Sequence, residues 1–138
     1  IHGNHEGDLR IKKECERFKN IIFLHKGFYE KDGIVFAGFG GGGFLLHDRQ
    51  FERFSHKIKE KAKGKGLVLM LHGPPYKTRT DLIMHEHAGS ISYTDFIKHE
   101  KPNLVICGNL HENNGMKDTI GKTLIINPGP EGKLIKIT

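Results

Sequence analysis

Two periods of apolar residues run along this chain. Leu9, Ile11, Cys15 and Phe18 recur at helical spacing among charges, which predicts a helix over Leu9 to Lys19, and the apolar run Ile21 to Leu24 after Asn20 reads as a short strand. Lys31-Asp32-Gly33 is a turn signal between Gly27-Phe28-Tyr29 and Ile34 to Ala37, so a hairpin is expected that ends in the glycine loop Gly40 to Gly43. Phe51, Phe54, Ile58 and Ala62, spaced by three and four among Lys and Glu, predict an amphipathic helix over Asp48 to Lys63, stopped by Gly64-Lys65-Gly66. Leu67 to Leu71 is continuous apolar sequence of the kind buried on both faces of a sheet, and it delivers His72-Gly73-Pro74-Pro75-Tyr76 at its carboxyl end.

Ser90 to Glu100 fits a helix with Ser92 and Asp95 in capping-box-like spacing, and Leu104 to Cys107 is a further short buried strand. Thr123 to Asn127 and Lys133 to Ile137 are expected to close the chain as two strands around Asn127-Pro128-Gly129-Pro130. Strands alternate with helices in the middle and pair as hairpins at the ends, so the class is α/β, without internal repeats.

Composition narrows the function classes. The chain has 138 residues, the length of a single domain spanning 1–138, and its longest apolar run is far too short to cross a bilayer. No signal peptide is visible at Ile1-His2-Gly3, and without a starting Met the chain reads as an amino-terminally incomplete piece. Cys15 and Cys107 lie far apart and form no C-x-x-C pair, which fits a reducing cytoplasm rather than a disulfide scaffold. Lys+Arg outnumber Asp+Glu by 22 to 16, a net charge of +6 that favours anionic substrates. The lysines are scattered among acids without a nucleic-acid-binding signature, so nucleic acid is expected only as a possible substrate. Abundant Lys and Glu beside a single Gln are weakly consistent with a heat-adapted source.

Groups able to do chemistry cluster at loop positions next to strands: Asn4-His5, His72, and Asn109-Leu110-His111. Ligand sites in open α/β sheets lie outside the carboxyl ends of strands, and imidazole with amide oxygen suits divalent transition metals. His25, His47, His56, His85 and His99 read as ordinary surface histidines. His87 precedes a helix start, where anions are welcome, yet a structural or exposed role is the simpler expectation. Cys107 reads as a small buried residue and not a nucleophile. Gly40 to Gly43 lacks the G-K-[ST] or G-x-G-x-x-G context of a phosphate cradle and reads as a flexible turn.

Gly3-Asn4-His5-Glu6, Leu71 to Tyr76, Gly108-Asn109-Leu110-His111-Glu112 and Asn127 to Pro130 resemble, in order, the motifs of the calcineurin-like metallophosphoesterases. His87-Ala88-Gly89-Ser90 and the following helix resemble small archaeal and bacterial members. The resemblance implies the carboxyl-terminal part of a four-layer α/β/β/α sandwich and a two-metal phosphoesterase acting on phosphomonoesters or phosphodiesters. It implies Asn4 and His72 as ligands of the second metal, His111 as a ligand of the first, and His5 as the acid that assists the leaving oxygen. Asn109 stands where the family has a His ligand of the second metal. The two metals would be drawn from Mn, Zn, Fe and Ni. The family's D-x-H and G-D-x-x-D motifs, which precede G-N-H-E and carry the bridging carboxylate, do not occur in this chain. The alternative is therefore an inactive scaffold of the same fold that binds proteins. Sheet edges left uncovered by the missing strands would permit self-association.

Overall fold

The computed structural model describes residues 1–137 and resolves into a six-stranded sheet covered on one face by two helices. Helix α1 (Asp8–Glu16) leads into a hairpin, β1 (Gly27–Lys31) and β2 (Ile34–Phe39). Helix α2 (Arg49–Lys61) and β3 (Gly66–Leu71) follow, then a small hairpin, β4 (Leu82–Ile83) and β5 (Glu86–His87). The remainder is α3 (Ile91–Glu100), β6 (Leu104–Ile106), a 3-10 turn (His111–Asn113), β7 (Lys117–Ile120) and β8 (Thr123–Ile126). The sheet order is β1-β2-β3-β6-β8-β7, with β2, β3, β6 and β8 parallel and an antiparallel strand at each edge. This is the α/β architecture expected.

Period-two alternation sorts the core. Val35, Ala37, Phe39, Leu67, Leu69, Leu71, Val105 and Ile125 face Phe51, Phe54 and Ile58 of α2 and Tyr93, Phe96 and Ile97 of α3. Val68, Leu104 and Ile126 point to the opposite face, where Ile34, Phe36, Met70, Ile106 and Leu124 stay half-buried. Phe51 is the hub of the helical face: its ring meets Tyr93, Phe39 and Phe96 edge-on, with centroids 4.7, 5.4 and 5.5 Å away. No helix among the described residues is long and apolar enough to cross a membrane.

Four expected features differ. Ile21 to Leu24 is not a strand, because both sides of β2 are already taken, by β1 and β3; the segment reaches the sheet through one bridge, His25 to Gly38. Lys133 to Ile137 is not a strand either. The position beside β8 belongs to β7, joined to it by the tight Gly121-Lys122 turn, and Ile135 and Ile137 pack on the second face instead. The Ser92 capping box does not form: Ser90 is the residue before α3, while Ser92 Oγ donates to Glu52 Oε1 at 2.6 Å and accepts from the Asp48 N–H at 2.9 Å. Ser92 thus ties α3 to the start of α2. Helix α1 is also shorter than its pattern and buries none of its residues.

Phe51→Ala removes the ring on which three others rest and should cost about 3–5 kcal/mol of conformational stability, read from chemical denaturation. A loss below about 1 kcal/mol would show that the helical face does not depend on it.

Candidate functional site

The four parallel strands end on one side of the molecule, and backbone hydrogen bonds continue beyond them. The His72 N–H donates to the Phe39 carbonyl at 3.1 Å, Gly108 N–H donates to the His72 carbonyl at 2.9 Å, and Cys107 N–H donates to the Ile126 carbonyl at 2.9 Å. The segments after β2, β3, β6 and β8 are thereby held abreast. Each carries polar or glycine-rich sequence: Gly40 to Gly43, His72, Asn109 to His111, and Asn127.

Asn4 arrives at this edge from the amino terminus. Its Oδ1 lies 3.1 Å from His72 Nε2. Gly3 permits the approach, since a Cβ there would sit 2.5 Å from Glu6 Oε2 and 3.4 Å from His72 Cε1. Glu6 Oε2 accepts the Gly3 N–H at 3.0 Å and fixes the bend. Behind it, Gly40 presses on His2 so closely that a Cβ would fall 2.6 Å from the His2 carbonyl oxygen. The glycine loop is therefore a close backbone crossing over His2 and Asn4 and not a free turn.

The Asn109 side chain lies beside His72 and acts to raise its pKa. The Asn109 backbone is left-handed, at φ 66°, and its buried Nδ2 has no hydrogen-bond partner. His111 opens the 3-10 turn and shares with Asn109 a cavity of about 320 Å³ also lined by Asn114, Asn127 and Gly129. Asn127 shapes that cavity: its Nδ2 donates to the Leu110 carbonyl at 3.0 Å and its Oδ1 accepts from Gly129 N–H at 3.1 Å. Asn4, His72, Asn109 and His111 thus form a continuous series along one edge. His5 is exposed, and it is the smallest of the charges that act on His72.

Burial lowers the His72 pKa, against the opposing pull of the Glu6 carboxylate and the Asn109 contact, so the neutral ring that can ligate is favoured. Burial likewise pushes the Cys107 thiol up to about 12, which leaves no thiolate for nucleophilic chemistry. A larger cavity, about 790 Å³, lies at the other end of the sheet, where β6 and β8 begin, and holds none of these groups.

The donor set fits part of a metal centre. Two ligand atoms bonded to one ion at about 2.0–2.1 Å stand roughly 3 Å apart, which is the Asn4–His72 separation. The unpartnered Asn109 atom is Nδ2, an N–H donor, so a third ligand from this side chain would have to be its amide oxygen. Among the described residues, however, no three His, Cys, Asp or Glu side chains come together as a metal site. Glu6, the carboxylate that acts on His72, is engaged by the Gly3 N–H.

Two further groups carry no signal of their own in the sequence. His2, whose ring packs 4.3 Å from that of His25, lies outside any periodic run, and Asp81, fully buried against His87, sits in a polar segment indistinguishable from a solvated loop.

A family model described as metallophosphoesterase, calcineurin superfamily, matches residues 9–134. The uncharacterized protein MJ1162 of Methanocaldococcus jannaschii is 29% identical over 132 residues, covering 92% of this chain and 56% of that protein. One crystal structure superposes with a TM-score of 0.75 at 26% identity over 92% of this chain and 55% of its own. The crystal structure of TT1561 of Thermus thermophilus gives 0.70 at 17% identity over 92% and 60%. The chain spans a little over half the length of these relatives.

His25 makes this end of the molecule acid-sensitive. Burial, then the neighbouring His2 and Lys26, lower its pKa from 6.5 to about 4, and its Nδ1 accepts the Gly40 N–H at 2.9 Å. Between those values the unfolded chain binds a proton that the folded chain refuses. Stability from this group is complete above pH 6.5 and lost as pH falls towards 4. Denaturation midpoints should decline through this window more steeply for the parent than for His25→Gln; parallel declines would contradict the assignment.

Proposed function

Since the chain belongs to the calcineurin superfamily of metallophosphoesterases, we propose that it supplies part of a divalent-metal centre that hydrolyses phosphomonoesters or phosphodiesters. The observation that carries this reading is the 3.1 Å approach of Asn4 Oδ1 to His72 Nε2 at the carboxyl ends of the parallel strands. Bound metals would supply an activated water and neutralise charge on the phosphoryl oxygens.

This chain's residues then divide the remaining work. Asn4 and His72 hold one ion, with the Asn109 amide oxygen beside them, and His111 contributes to the other. His5, exposed next to His72, gives a proton to the departing oxygen. A first ion and a bridging group would need carboxylates that the described residues do not gather at this edge. Two amide oxygens to one imidazole tilt the second site towards a hard ion such as Mn over Zn.

A second reading, the inactive protein-binding scaffold, draws on the lack of any cluster of three His, Cys, Asp or Glu among the described residues. Hydrolysis of bis-p-nitrophenyl phosphate by the full-length protein separates the two. The enzyme reading expects turnover that requires added Mn. It expects His72→Ala to lose both metal and turnover, and His5→Ala to lower turnover about 10²-fold or more at nearly unchanged metal content. Absence of metal-dependent turnover in the full-length protein favours the scaffold, and loss of metal on His5→Ala would overturn the role given to that residue.

A further inference from the structure

Asp81 is fully buried and has no part in the site as described so far. Its Oδ2 accepts the backbone N–H groups of Lys77 and Gly89, each at 3.0 Å. Its Oδ1 accepts the Thr78 N–H at 3.0 Å and meets His87 Nδ1 at 2.6 Å. Three backbone donors are enough to shape a turn. The fourth and shortest contact fixes the His87 ring, committing Nδ1–H to the carboxylate. Nε2 is then the free ring atom, on a side chain one-third exposed and with no further hydrogen bond among the described residues.

The ring does not stand alone. Tyr76 packs edge-on against it with centroids 5.7 Å apart, and Lys77 Nζ lies 5.6 Å from the centre of the same Tyr76 ring. An aromatic face is thus bracketed by an ammonium and an imidazole. Arg79 is on the same loop, and Glu86 is its one exposed acid. Nothing in the core requires this arrangement, because the apolar side chains that pack the helical face are elsewhere.

The loop is rooted in the candidate site. Tyr76 N–H donates to the Ser90 carbonyl and Ser90 N–H to the Pro74 carbonyl, each at 3.0 Å, closing the loop two residues beyond His72. Asn113 Nδ2 donates to the carbonyls of Thr80 and Leu82, both at 3.0 Å, and so binds the loop to the turn that begins at His111. Four residues from His72 to Tyr76 span at most about 14 Å, within the length of a nucleotide-sized substrate.

We propose that Tyr76, Lys77 and His87 form a subsite for an anionic group of the substrate beyond the scissile phosphoester, with Asp81 as the residue that positions His87. The proposal rests on the phosphoesterase reading above and adds a substrate class: phosphate esters that carry a second phosphate. The Tyr76 face takes the organic part between the two phosphates, and Lys77 takes the second charge together with His87, which donates Nε2–H to it when the ring carries both protons.

Adenosine 3′,5′-bisphosphate and adenosine 5′-monophosphate serve as probes on the full-length protein, as inhibitors of bis-p-nitrophenyl phosphate hydrolysis and as calorimetric ligands. The bisphosphate should bind about tenfold more tightly than the monophosphate, one charge-assisted contact's worth. His87→Gln and Lys77→Gln should each remove most of that preference, and Asp81→Asn should move it the same way. A merely structural His87 would weaken both ligands alike and lower the melting temperature. No preference in the parent, or a preference unchanged in folded His87→Gln, overturns the subsite. If hydrolysis is not seen at all, the phosphoesterase reading fails while calorimetry still decides the subsite.

Discussion

The His72 backbone is held from both sides, its N–H by the Phe39 carbonyl and its own carbonyl by the Gly108 N–H. This continuation of the ladder past the strand ends sets the distance between the loop after β3 and the loop after β6. Gly108, bonded to the His72 carbonyl, brings the adjoining Asn109 beside the His72 side chain. The ladder is in turn anchored by side chains fully buried beneath it, Leu69, Val105 and Ile125, so the position of the polar edge is a product of core packing. The loops are thus fixed relative to one another by backbone bonds over a close-packed base, which is what orientation of a reacting group requires.

Much of this frame is legible in the chain. Leu67 to Leu71 and Leu104 to Cys107 stand out as buried strands because they are continuous apolar runs, and the spacing of Phe51, Phe54 and Ile58 marks α2. Strand β7, Lys117-Asp118-Thr119-Ile120, does not stand out, since an edge strand with half its residues in solvent has no apolar signature. With β7 hidden, Lys133 to Ile137 takes its place in a reading by pattern: two isoleucines at alternate positions look like a strand but only cap the second face. Ile21 to Leu24 misleads for a related reason, because local pattern cannot show that the neighbouring edge is occupied.

The polar edge is partly legible. Motif order picks out Asn4, His72, Asn109 and His111, and the structure sets them in a row; the contacts that hold them, by Gly3, Gly40 and Asn127, lie in backbone crossings that no spacing rule reveals. Asp81 and His87 are invisible as a pair because five residues of hairpin separate them. Asn4, Asn109 and a neutral His72 make an uncharged donor set. Such a set offers little to a dication by itself, because none of its three groups carries a negative charge.

The role given to this edge is tested most directly by anomalous diffraction from crystals of the full-length protein grown with Mn. The expected result is an ion within about 2.0–2.2 Å of both Asn4 Oδ1 and a ring nitrogen of His72, replacing the hydrogen bond between them. An intact Asn4–His72 hydrogen bond with Mn bound elsewhere would contradict it.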